Sequence, residues 1–184
     1  LASGVLEDDA VLDRLARLSD EGVAIGLSLS GPEQSETLRR ALAVRRGDAP
    51  LFQCVQATWN LLERSADDAL AAAHDAGLGV IVKEALANGR LTARNVEPAF
   101  AATRARLEAA AERLGTTLDG LALAAALARP WADVVLSGAA TVEQLRSNLG
   151  ALDVRWDRDA DHALADLAEP SERYWATRKQ LPWN

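Results

Sequence analysis

The sequence predicts an α/β fold of four consecutive βα units, the number that makes half of a (β/α)8 TIM-type barrel, followed by a helical tail. Two observations carry this. Four short apolar runs, at residues 23–29, 52–58, 78–82 and 134–136, each lead through a polar turn into a helical stretch. The runs also lack polar alternation, as parallel strands covered on both faces do. In such folds chemistry gathers at the carboxyl ends of the strands. The stretches to inspect are therefore residues 28–31, 59–60, 83–89 and 137–141.

The elements follow in order. Residues 9–19 place Leu12, Leu15, Ala16 and Leu18 on one helical face, and the acidic run Glu7-Asp8-Asp9 suits a helix N-terminus. The first strand run breaks at Gly31-Pro32, and proline then opens a helix to about Val44. The pairs Arg39-Arg40 and Arg45-Arg46 read as a solvated helix end. After the second run, Ser65-Ala66-Asp67-Asp68 has the form of an N-cap with acidic residues in the first turn. The third run enters a turn-prone stretch with Asn88-Gly89. Beyond Pro98 come a longer helix and a second one over residues 118–128, which stops before Arg129-Pro130. The fourth run leads to Thr141-Val142-Glu143-Gln144, a capping box. Leu145, Leu149 and Leu152 follow at helical spacing and are expected to form a buried stripe. Residues 153–184 form a tail with a short helix and the aromatics Tyr174, Trp175 and Trp183.

Composition bounds the rest. The 184 residues suffice for a single domain, 49% hydrophobic and 26% charged, which describes a globular chain. A net charge of −7 with scattered basic residues argues against a nucleic-acid partner. One cysteine, Cys54 in a strand run, excludes a disulfide framework and makes a reducing, cytoplasmic setting the default. Two histidines and one cysteine are too few for a structural zinc site. His74 and His162 fall on helices away from the strand ends and read as ordinary surface or half-buried residues. No apolar stretch reaches 18 residues, so no membrane span and no secretory leader are expected. The chain starts at Leu1 and contains no methionine, so its natural start is expected to lie upstream.

The strand ends resemble, in order and spacing, the second half of an aldo-keto reductase over about residues 5–152. GVAIGLSLSG resembles that family's fifth strand with its Gly-x-Ser, and FQCVQATWNLL the Gln-x-x-aromatic-Asn of the sixth. GLGVIVKEALANGRL resembles the seventh strand and its loop, and VVLSGAATVEQLRSNLGAL the eighth strand and final helix. The resemblance implies a (β/α)8 barrel that moves hydride from NADPH or NADH to the carbonyl carbon of an aldehyde, ketone or sugar. The family's proton donor is a tyrosine supported by Lys, Asp and usually His, all from the first half of the barrel. None has a matching position here, and Tyr174 does not match that motif, so no catalytic residue is assigned.

The resemblance does imply a cofactor half-site. Ser28 and Gln56 match the residues that hydrogen-bond the nicotinamide carboxamide; equally, Ser28 can end a strand and Gln56 pair inside the barrel. Leu29 stands where many members have Asn. Lys83 replaces the tyrosine that often stacks on the nicotinamide; it is free to approach a diphosphate, a carboxylate such as Glu84, or solvent. Leu86, Asn88 and Gly89 match the loop over the diphosphate, although a plain turn also explains Asn88-Gly89. Gly138, Ala139, Thr141, Gln144 and Asn148 match the adenosine end, where a helix N-terminus favours an anion; helix capping alone also accounts for Thr141 and Gln144. NADP versus NAD stays open. The expected partners are a small-molecule carbonyl substrate and either the missing barrel half or a second copy. Competing readings are a non-catalytic half-barrel that binds a nucleotide or assembles with another half, and a different βα protein sharing only the layout.

Overall fold

The computed structural model describes residues 4–181. Asp8 opens α1 (Asp9–Asp20) by accepting from the Val11 N–H at 3.2 Å, and the chain turns at Gly22 with φ +90°. The first strand, β1 (Gly26–Ser28), is shorter than its apolar run. A Cβ on Gly26 would meet Cys54 Sγ at 2.3 Å and the Cys54 carbonyl oxygen at 3.1 Å, so a larger residue there requires the Cys54 side chain to turn away. Next comes α2 (Gln34–Leu42).

Arg45-Arg46 is not part of a helix end. The pair forms β2 (Arg45–Arg46) of a small antiparallel ribbon with β3 (Ala49–Pro50), turning at Gly47 in the left-handed region. Ion pairs from Arg46 to Asp13 at 2.9 Å and Asp9 at 3.1 Å tie that ribbon to α1. Two-residue strands carry too little periodicity to be seen in a sequence.

The remaining elements are β4 (Cys54–Thr58), α3 (Asp67–Asp75), β5 (Gly79–Lys83), α4 (Ala101–Leu114), α5 (Leu118–Leu127), β6 (Val134–Val135), α6 (Val142–Leu149), α7 (Arg158–Ala163) and α8 (Ser171–Gln180). Ser65 does not cap α3; Ala66 occupies that position, and the Ser65 hydroxyl is engaged by the Glu63 carboxylate instead. Residues 120–126 of α5 are all buried, so this helix runs through the core.

Four strands form one parallel sheet in the order β1-β4-β5-β6, leaving β1 and β6 as its edges among the described residues. The register sets Ser28 beside Gln56, Thr58 beside Lys83 and Ile81 beside Val134. Alternation along each strand then separates two faces. Val55, Ala57, Val80 and Val82 point into the helical layer, fully buried in one cluster with Leu38, Leu70 and Leu121. Cys54, Gln56, Gly79, Ile81 and Lys83 face the other way and are only half-buried.

The stripe of α6 is a second departure. Leu145, Leu149 and Leu152 are 45, 52 and 67% exposed, and Val142 beside them is exposed too. The helix packs inward through Asn148, and through Ala151 in the turn after it. Helical spacing identifies an apolar face but not what covers it, and beyond the β6 edge the described residues supply no covering layer.

The tail is more deeply built in than its sequence suggests. Tyr174 and Trp175 on α8 are buried and pack edge to face at 5.5 Å. Trp183 lies outside the described residues. No helix among the described residues is long and apolar enough to cross a membrane.

Candidate functional site

The carboxyl ends of β1, β4 and β5 bring three sequence-predicted residues into one hydrogen-bonded group. The Ser28 hydroxyl donates to Gln56 Oε1 at 2.9 Å. Lys83 Nζ donates to Ser28 Oγ at 3.2 Å and to Ser30 Oγ at 2.9 Å. The register explains the meeting: Ser28 and Gln56 are sheet neighbours on the open face, and Lys83 lies one strand further on the same side. Lys83 thus reaches neither a carboxylate nor the loop that follows it; its tip turns back across the sheet. Burial holds its pKa below the ordinary lysine value, with Glu84 opposing and Arg178 adding to the effect.

The loop after β5 is unusual in backbone. Glu84, Ala87, Asn88 and Gly89 all have positive φ, between 48° and 89°. Three of them carry a Cβ, so the conformation persists only because the surroundings impose it. Those surroundings are specific. Arg178 of α8 grips the Glu84 carboxylate through Nε at 3.0 Å and Nη2 at 2.8 Å. Asn60 Nδ2 donates to the Glu84 carbonyl at 3.0 Å, and Arg90 bonds Glu169 at 3.0 Å.

A cleft of about 310 Å³ runs along this loop, lined by Lys83, Leu86, Gly89, Arg94 and Gly138 among others. A second, also about 310 Å³, is lined by Leu86, Arg94, Gly138, Ala139, Gln144 and Asn148 among others, with the carboxylates Asp119 and Glu143 on its wall. The shared walls Leu86, Arg94 and Gly138 make them one trough from the end of β5 to the start of α6. Ser28 opens instead into a cleft of about 320 Å³ at the β1 edge, beside Leu12 and Phe52.

At the far end Thr141 Oγ1 accepts from the Gln144 N–H at 3.2 Å. Gln144 Oε1 accepts from Ala140 N–H at 2.8 Å, one residue further back than a capping box requires. Both acceptor oxygens are therefore engaged at the helix start. Asn148 is buried and donates to the Ser137 carbonyl at 2.8 Å, fixing α6 to the end of β6. Gly138 has φ +64° and only open space where a Cβ would stand.

These groups suit an elongated ligand with an anionic group at Arg94 and an amide at one end. Gln56 Nε2 donates to no acceptor among the described residues, leaving its two N–H groups to a ligand. Arg94 has no carboxylate within ion-pair distance among the described residues, and its guanidinium lies over Gly89. Sequence reasoning placed Ser30 in a stretch to inspect but gave it no role, and it missed Arg94 and Arg178. Arg94 had a faint signal, a cation five residues past Gly89; Arg178 had none, since only the fold brings it to Glu84.

The model of the Aldo/keto reductase family matches residues 5–169. No curated protein matches the chain. Among solved structures, a thermostable aldo-keto reductase, Tm1743, crystallised with the inhibitor epalrestat, superposes with a TM-score of 0.66 at 24% identity, covering 89% of this chain and 55% of that one. The aldo-keto reductase AKR11C1 from Bacillus halodurans matches in its apo form with a TM-score of 0.68 at 20% identity, covering 91% and 60%. Its holo form gives 0.66 at 21% identity, covering 91% and 59%. The chain thus spans little more than half the length of these structures, and at such identities they speak for the fold alone. The family match extends over nearly the whole chain, from the helix before β1 to the tail, and on that ground the chain belongs to the aldo/keto reductase family.

Proposed function

We propose that the strand-end trough holds a nicotinamide dinucleotide, NADP or NAD, and that the chain is the cofactor-binding part of an oxidoreductase reducing aldehyde, ketone or sugar carbonyls. The observation that carries this reading is the Ser28–Gln56–Lys83 group, with uncommitted Gln56 N–H donors, joined through Lys83 to a trough that reaches the α6 N-terminus. Ser28 and Gln56 would hold the carboxamide and so fix which ring face is presented. Leu86, Gly89 and Arg94 would border the diphosphate, Arg94 supplying the cation. Gly138 and Ala139 leave room for the adenosine, and the first-turn N–H groups of α6 favour an anion there. Thr141, Gln144 and Asn148 would act by holding that turn in place. When bound, the cofactor supplies the hydride; no described side chain is assigned as the proton donor.

Trp175 lines a cleft together with Ser30 and Arg178 and serves as a reporter. Titration of the 184-residue chain with NADPH and NADH should quench its tryptophan fluorescence saturably. A flat response to both at millimolar concentration contradicts the reading.

The exposed stripe of α6 and the two unpaired strand edges support a second element, association with a further barrel half or with a second copy. Sedimentation velocity of the chain, with the stripe intact and disrupted, tests it.

A further inference from the structure

We infer that Lys83 makes this cleft discriminate between the oxidation states of the dinucleotide, holding the reduced form more tightly than the oxidised one. The inference rests on the cofactor reading above, in which Ser28 and Gln56 take the carboxamide. The nicotinamide ring carries a positive charge when oxidised and none after accepting hydride, so a fixed cation beside it penalises only the oxidised form.

Lys83 is such a cation by placement. Its Nζ sits 3.2 Å from Ser28 Oγ. Any group hydrogen-bonded to Ser28 Oγ therefore lies within about 6 Å of the ammonium, two hydrogen-bond lengths. Ser30 Oγ, at 2.9 Å, anchors the tip from the other side. What would neutralise this charge is already taken. Glu84, the adjacent residue, has both carboxylate oxygens on Arg178. No carboxylate lies within ion-pair distance of Lys83 among the described residues. The facing groups are Ser28 and Ser30 from β1 and the turn after it, Gln56 from β4, and the Glu84–Arg178 pair. None but that pair is charged.

The thermodynamic consequence has a definite sign. Tighter binding of the reduced form loads the site with hydride donor and speeds departure of the oxidised product, while making the bound dihydronicotinamide a weaker donor than the free one. An aromatic ring at position 83 would contribute stacking to both states alike; an ammonium contributes a difference. The ring lies a few ångströms beyond the carboxamide, and two unit charges about 6–10 Å apart in a partly solvated site shift an equilibrium by roughly tenfold.

The experiment measures dissociation constants of NADPH, NADP+, NADH and NAD+ by calorimetry at neutral pH. Wild type is compared with Lys83→Met, Lys83→Arg and Lys83→Gln, each checked for folding by circular dichroism. Lys83→Gln keeps a donor for the two serines and guards against a misfolded Met variant. For whichever pair binds, the oxidised-to-reduced ratio should fall about tenfold in the Met and Gln variants and stay within about twofold of wild type in Lys83→Arg. An unchanged ratio in the uncharged variants, with both forms still bound, overturns the inference and leaves the cofactor reading standing. Absence of binding of all four nucleotides by the wild-type chain overturns both.

Discussion

Asn60 donates a hydrogen bond from Nδ2 to the phenolic oxygen of Tyr174 at 3.0 Å, joining the turn after β4 to a helix 114 residues later. Its other contacts complete a hub. Nδ2 also donates to the Glu84 carbonyl, and Oδ1 accepts from the N–H groups of Leu62 and Glu63 at 2.9 and 3.0 Å. Every hydrogen-bonding site of this buried amide is used, and each partner belongs to a segment bordering the strand ends. Tyr174→Phe removes one oxygen and leaves an Asn60 N–H without its partner, so it should cost about 1–3 kcal/mol. Asn60→Leu, which leaves the Leu62 N–H and the Tyr174 hydroxyl without a partner and takes one of two from the Glu63 N–H and the Glu84 carbonyl, should cost more. Urea unfolding monitored by circular dichroism measures both. The buried phenol, whose pKa burial pushes well above the ordinary tyrosine value, should stay un-ionised in alkaline difference spectra until the fold opens.

The Arg178–Glu84 pair locks the same region electrostatically. The side chains are only 9 and 17% exposed, and Glu84 is itself at φ +56°. Removing Arg178 leaves a nearly buried carboxylate unpaired and frees a strained loop. Arg178→Met should therefore destabilise the fold by about 2–4 kcal/mol. It should also raise amide exchange across residues 84–89 more than in the helical layer. Equal exchange in both regions would show that α8 does not hold the loop.

The parallel layout and the strand-end group were legible in the sequence because both depend on short-range signals: unbroken apolar runs, and motif residues in fixed register behind them. Ser28, Gln56 and Lys83 meet because neighbouring strands align, which their positions already encode. The Lys83 side chain could not be aimed from sequence, since its partner Ser30 lies past the end of a different strand. Helical spacing likewise found the Leu145, Leu149 and Leu152 stripe but assigned it to a core that the described residues do not provide. Buried Gln34 left no sequence signal: its amide closes two hydrogen bonds with the Thr58 backbone, at 2.9 and 3.2 Å. Such long-range polar pairing depends on tertiary contact rather than on periodicity.

That stripe makes its own prediction. Four large apolar side chains from Val142 to Leu152 exposed on one face form the kind of patch that drives association. The isolated chain should self-associate with rising concentration. The double variant Leu145→Glu/Leu149→Lys should reduce this without loss of stability, because both positions are solvent-facing. Sedimentation velocity decides, and identical profiles for the two proteins would remove the stripe as the cause.

Asp157 gives the fold a specific acid limb. It caps α7 by accepting from the Ala160 N–H at 2.8 Å and pairs through both oxygens with Arg113 of α4, at 2.8 and 2.9 Å. The Arg113 hydrogen bonds first, and the Ala160 N–H second, hold its pKa at about 2 against an ordinary 3.8. The folded state thus favours the carboxylate, and the resulting stabilisation is complete above the ordinary value. It is lost as pH falls from there through about 2, because the unfolded chain takes up the proton first. Asp157→Asn keeps an N-cap acceptor but has no charge to protonate, so its stability should change less between about pH 4 and pH 2 than that of the wild type. Urea midpoints measured across that interval should converge for the two proteins as the pH falls. Parallel curves would mean that the Arg113 pairing does not contribute to stability in solution.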